Sequence, residues 1–204
     1  MEVLGAVIGC FDEEQLRERL SVLPQLAAVA FAAACAARLE NTTRNLNTHE
    51  DLKILLSRTM DAIVAYLGRG SPFDALAAEG DLLAAMPDED ANPDLPSAVF
   101  EDAAAAAVYM LRAARNGDPQ DAAWAARRAY ETADREVIST LNVGEVGDSE
   151  EAYVLQHPVV QVELQRQARD LDAVSGIDGG QSAELIAVVS RARAENILLP
   201  DGLR

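Results

Sequence analysis

The sequence predicts an all-α fold, a single-domain helical bundle of about seven to eight helices with alanine-rich central helices. Three observations predict it. Aromatic residues are only 4% of the chain, whereas strands favour aromatic and β-branched side chains. The stretch LPQLAAVAFAAACAARLE, residues 23–40, is interrupted by only two polar side chains before its end, Gln25 and Arg38. A helix apolar nearly all round belongs in the middle of other helices. Finally, glycine and proline punctuate the chain between stretches whose apolar residues recur at helical spacing.

Taken in order, Asp12 is placed to cap a first helix, DEEQLRERLSV, with acids in its opening turn where the helix dipole favours them. Leu16, Leu20 and Leu23 share its spacing. Pro24 is read as the first residue of the central helix, since its missing N–H has no partner there. Residues 41–47, NTTRNLN, read as a polar turn. Thr48 with Asp51 resembles a capping box, ahead of an amphipathic helix carrying Leu52, Leu55, Leu56, Met60, Ile63, Val64 and Leu67 and closed by Gly68 and Gly70. Ser71-Pro72 opens a further helix with Phe73, Leu76, Leu82 and Leu83.

Residues 86–96, MPDEDANPDLP, hold three prolines and four acids, so they read as an exposed connector inside one domain spanning 1–204. A second small-residue helix follows over 97–116, ended by Gly117 and expected to pack on the first. Asp118-Pro119 starts a long helix containing Trp124, read as a residue at the edge of the core. Beyond Gly144 and Gly147 an acidic turn leads to HPVVQVELQRQARDLDAV, with Pro158 at its start and Val159, Val160, Val162 and Leu164 as its apolar part. The glycines at 176, 179 and 180 separate it from a last helix, SAELIAVVSRARAEN.

Charge bounds the function. With 34 acids against 17 bases the net charge is −17, and such a surface repels phosphate backbones and anionic lipid, so neither nucleic acid nor membrane is an expected partner. The run from Leu26 to Ala37 is shorter than the roughly 20 residues that cross a bilayer. The start, MEVLGAVIGCFDEEQ, lacks the basic leader of an exported chain, and a cytoplasmic location is expected. Cys10 and Cys35 are too few and too far apart for a disulfide framework or a zinc site, and Cys35 reads as a small buried hydrophobe.

Motif chemistry is sparse. There is no phosphate-cradling glycine loop, no dinucleotide fingerprint and no nucleophile elbow. His49 and His157 do not follow a glutamate at the spacing of a di-iron helix pair, and both are expected at helix starts. Glu131 with Asp134, and Glu145 with Asp148, give two Glu-x-x-Asp pairs but no Glu-x-x-Glu, short of the convergent carboxylates that magnesium needs. No cofactor or metal is therefore expected. What remains is a candidate polar interior cluster of Arg38, Asp102, Glu163 and Gln167. An arginine meeting a carboxylate away from water makes a strong bidentate pair, which more often fixes packing than it catalyses.

Several segments, in the same order along nearly the whole chain, resemble the YjaG-like bacterial family of unknown function, domain-of-unknown-function family 416. They are Leu16 to Leu39, Asp102-Ala103, the run His157-Pro158-Val159-Val160-Gln161-Val162-Glu163 with Gln167, and Glu195-Asn196-Ile197. The resemblance implies a single all-helical domain and no particular activity. It departs where the family has Glu-Arg and this chain has Ala37-Arg38, and where Asn41-Thr42-Thr43 replaces an aromatic. The functional expectation is a non-enzymatic protein that binds a basic protein partner through an acidic helical surface, as an inhibitor or immunity-type protein does. The alternatives are a small-molecule-binding or hydrolytic enzyme built on the interior cluster, and a homodimeric scaffold.

Overall fold

A computed structural model describes residues 9–70, 73–86, 94–140, 148–177 and 182–197, with 148–151 described in backbone only. Among these residues the helices are α1 (Glu13–Ser21), α2 (Gln25–Thr43), α3 (Glu50–Arg69), α4 (Ala75–Ala85), α5 (Leu95–Asn116), α6 (Pro119–Thr140), α7 (Asp148–Gln156), α8 (Pro158–Ser175) and α9 (Ser182–Ala192). No strand is present among the described residues.

The alanine-rich segment is the hub. Every residue of α2 from Ala27 to Glu40 is buried, on all sides of the helix. It packs on α5, α6, α8, α9 and α3. Small side chains make this possible, because they let helix axes approach closely while the interior keeps crystal-like density. Phe31 and Phe100 are the largest apolar side chains wholly enclosed in this core. The α2–α5 contact also has a polar clasp. Gln25 Nε2 donates to the Ala114 carbonyl at 2.9 Å, an acceptor at the end of α5, and at 3.3 Å to the Ala113 carbonyl, which also accepts the Gly117 N–H at 2.9 Å. Gly117 ends α5 in the left-handed region at φ 70°, and a Cβ there would meet the Gln25 side chain at 3.3 Å.

Several boundaries differ from the sequence reading for physical reasons. Pro24 is the N-cap of α2 and not its first helical residue; its carbonyl accepts from Ala27 and Ala28. Helix α2 runs on through Asn41, Thr42 and Thr43, where a polar turn was expected; these residues are buried or half-buried, and Asn41 and Thr42 are tied to the Glu195 carbonyl, Asn196 and the Ile197 N–H. The α3 N-cap is His49 in a left-handed conformation with no side-chain cap bond, so Thr48 and Asp51 form no capping box. Asp74, and not Ser71-Pro72, caps α4, accepting from Ala77 N at 2.9 Å. Asp94 caps α5, which therefore begins inside the expected 86–96 connector; residues 87–93 of that connector lie outside the described residues. Helix α7 occupies part of what read as an acidic turn, and Val162 is 42% exposed instead of joining the core.

Helix α8 carries most of the site. His157 caps it, Nδ1 accepting from Val159 N at 3.3 Å, and Pro158 fills the first helical position. Burial holds the His157 pKa below its ordinary 6.5, which suits a neutral imidazole acting as hydrogen-bond acceptor.

Two outcomes follow. Ala33→Leu, at a fully enclosed α2 position, is expected to cost about 1–3 kcal/mol in urea unfolding through overpacking, while Ala187→Leu on the exposed side of α9 stays within about 0.5 kcal/mol. For His157, the unfolded chain takes up a proton near pH 6.5 while the folded chain does so only at lower pH. Stability from this cap is therefore present above about pH 6.5 and declines as pH falls below it. His157→Asn, which caps without titrating, is expected to flatten that decline in melting temperatures measured between about pH 7.5 and 5.5.

Candidate functional site

The interior polar cluster is built where the C-terminal half of α2 meets α8. Among the described residues Arg38 is the largest enclosed side chain, at 0% exposure. Its Nε and Nη2 donate to Glu163 Oε1 at 3.2 and 3.1 Å, and its Nη1 donates to Asp170 Oδ2 at 2.5 Å. Glu163 Oε2 lies 3.0 Å from Nε but off the N–H direction, so it feels the charge without accepting the hydrogen bond. Gln167 Nε2 bridges Glu163 Oε1 at 2.9 Å and the Ala126 carbonyl of α6 at 3.0 Å. Arg38 Nη2 also reaches Cys35 Sγ at 3.4 Å, one turn back on α2.

A second ring surrounds the first. Asp170 Oδ1 accepts from Arg191 at 2.7 Å and from Arg169 at 2.9 and 3.1 Å. Glu195 pairs with Arg169 at 2.8 Å and stands 3.7 Å from both Arg38 and Arg166. The turn after α9 is tied into α2: Thr42 Oγ1 receives the Ile197 N–H at 3.1 Å and contacts Asn196, and Asn41 Nδ2 donates to the Glu195 carbonyl at 3.0 Å. Arg193 next to it spans Glu40 of α2 and Asp61 of α3.

Electrostatics follow from this enclosure. Burial by itself would make the Arg38 guanidinium easier to deprotonate, but the carboxylates of Glu163 and Asp170 reverse that and hold its pKa above the ordinary arginine value. For Asp170 burial pushes the pKa up, and Arg38, Arg191 and Arg169 together bring it below the usual carboxylate value. Cys35 is pushed far up by burial, against the lowering influence of Arg38, so its thiol stays protonated and is no nucleophile. Cys10 is exposed.

Of the four sequence-named residues, Arg38, Glu163 and Gln167 meet. Asp102 does not. It faces α6, where its carboxylate accepts from Thr132 Oγ1 at 2.9 Å and Arg135 Nη1 at 2.6 Å, with Arg128 at 3.5 Å. Burial raises its pKa, and these three groups only partly offset that. The contrast with Asp170 is one of partner number, since Asp170 takes hydrogen bonds from three guanidinium groups and Asp102 from one. Asp170, Arg169 and Arg191 were missed in the sequence reading, and Glu195 was singled out there only within the segment that carries the family resemblance. For Asp170 a signal existed: Glu163, Gln167 and Asp170 stand at i, i+4 and i+7 on one face of α8.

What this arrangement does chemically is hold charge still. The side chains of Arg38 and Glu163 are 0% and 1% exposed, so a substrate would touch them only if α2 and α8 parted. Among the described residues there is no group of three or more His, Cys, Asp or Glu positioned to hold a metal, and no helix is long and apolar enough to cross a membrane.

With that geometry in hand, comparison with known proteins adds the fold. No protein-family model matches the chain, and no curated protein does. A crystal structure of a DUF416 family protein from Shewanella baltica OS155 is similar over 86% of this chain and 92% of that one, with a TM-score of 0.75 and 16% identity. The fold is that of the DUF416 protein. The resemblance read from the sequence is thereby borne out in three dimensions.

Arg38→Met is expected to lower stability by about 3–5 kcal/mol, because it leaves two buried carboxylates without their common partner. Arg38→Met combined with Glu163→Gln and Asp170→Asn should recover part of that loss. Urea unfolding of the single and triple variants measures both.

Proposed function

We propose that the chain is a protein-binding module, an anionic helical surface that takes a basic protein partner in the manner of an inhibitor or immunity-type protein. The observation supporting this reading is where the cations go. Twelve arginines and Lys53 stand in intrachain ion pairs, out of 17 cationic side chains in all. Buried carboxylates such as Glu40, Glu79, Asp102 and Asp170 take many of these partners. Cations held in such pairs do not offset other acids, which supports reading the outer face as anionic in a chain of net charge −17. Glu14, Glu18, Asp51 and Asp81 are among the exposed acids.

A field of that sign steers cationic proteins and speeds their encounter, and salt screens it within about 8 Å at physiological ionic strength. An enzyme acting through the Arg38 cluster is the weaker reading, since the side chains of Arg38 and Glu163 are 0% and 1% exposed.

Capture on the immobilised chain from native lysate at low salt, followed by salt elution, is expected to return a basic protein. Its association rate with the purified chain should fall at least about tenfold from low to high salt. A captured partner of neutral or acidic charge, or an association rate indifferent to salt, would refute the proposal.

A further inference from the structure

Helix α4, ALAAEGDLLAA, carries only two charges, Glu79 and Asp81. Glu79 turns inward to Arg112 and Arg115 at 2.7 Å each, and Leu82 is fully buried, so one face of the helix is seated against α5 and α3. The opposite face is apolar as well. Leu76 is 66% and Leu83 48% exposed, Ala77, Gly80 and Ala84 are exposed with them, and Asp81 is the single exposed charge of the helix. A helix apolar on both sides belongs under cover. Gly80 adds a second observation. Glycine weakens an exposed helix relative to alanine, its backbone here is not in the left-handed region, and a Cβ added to it would meet nothing within 4 Å. Nothing among the described residues calls for glycine at this position, whereas the close approach of another helix backbone does.

We propose that this face pairs with the same face of a second copy of the chain, the two α4 helices running antiparallel about a two-fold axis at Gly80. The pattern is self-complementary. Leu76-Ala77 stands four and three residues before Gly80, and Leu83-Ala84 three and four residues after it. The axis therefore sets each Leu-Ala pair of one copy against a Leu-Ala pair of the other, and the two glycines meet where the backbones come closest. Charge selects the same occupant. Two chains of net charge −17 repel wherever acid faces acid, so copies associate on a face poor in charge, and one exposed carboxylate in 11 residues makes α4 such a face. A basic partner is drawn to the acidic faces instead, so the inference stands apart from the protein-binding proposal.

Sedimentation velocity of the full-length chain over a concentration series tests this. One helix face is smaller than the ~1,200 Å² at which stable interfaces begin, so a reversible dimer with a dissociation constant in the micromolar range is expected. Salt should tighten it, at least about threefold from low to high ionic strength, by screening the repulsion between copies. Binding of a basic partner weakens in salt, so the two proposals fail separately. Leu83→Glu, at an exposed position, is expected to leave the melting temperature of the dilute chain unchanged and to abolish the dimer. Gly80→Gln is expected to raise that melting temperature, since glutamine favours a helix over glycine and has open space there, while weakening the dimer at least about tenfold. A chain monomeric throughout the series, a dimer that survives Leu83→Glu or Gly80→Gln, or one that loosens as salt rises would overturn the proposal.

Discussion

A guanidinium placed at the centre of a protein needs carboxylate partners in place of water, and here that requirement organises the architecture. Arg38 stays charged under any condition in which the chain is folded, so α8 must present Glu163 and Asp170 to it, about two turns apart on a single face. Asp170 in turn needs Arg169 and Arg191. Glu195 follows on the strength of Arg169, and the turn that carries Glu195 is tied back to α2 through Thr42 and Asn41. One buried charge thus fixes the relative placement of α2, α8, α9 and the segment after it. Replacing such networks by apolar residues often leaves stability unchanged or better, so we read this one as setting a unique packing and not as a large net source of stability.

Alanine supplies the other half of the design. With α2 enclosed on all sides, leucine or isoleucine along its length would push its neighbours outward and separate Arg38 from its carboxylates. Small side chains bring α5, α6, α8 and α9 close enough for hydrogen bonds between helices, such as Gln167 to the Ala126 carbonyl and Gln25 to the end of α5. Arginine, not lysine, serves the ion pairs almost throughout, Lys53 being the lone lysine of the chain. Its planar fork reaches two acceptors at once, as Arg169 does across Asp170 and Glu195.

The elements that were legible in the sequence were those whose signals are local. The spacing of Leu52, Leu56, Met60, Ile63 and Leu67 marks α3, Asp12 marks the start of α1, and Gly117 marks the end of α5, all from neighbours within a turn or two. The extension of α2 through Thr43 was not legible, because part of its support comes from Asn196 and Ile197, some 154 residues away in sequence. Arg38, Glu163 and Gln167 stood out as polar residues in apolar helices. Asp170 did not, since a carboxylate between Arg169 and Leu171 in an otherwise polar stretch reads as solvated surface. Asp102 was singled out on the same grounds as Arg38, yet its partners lie on α6; composition alone does not say which buried charges share a neighbourhood.

The central claim, a sealed and permanently charged Arg38, is open to one direct measurement: hydrogen exchange at the arginine Nε–H groups by NMR. Sealing predicts that the Arg38 Nε–H exchanges only when α2 and α8 separate, orders of magnitude more slowly than that of exposed Arg58. Exchange of Arg38 at the rate of Arg58 would mean that water reaches the guanidinium in the folded chain, and the account of the interior network would be wrong.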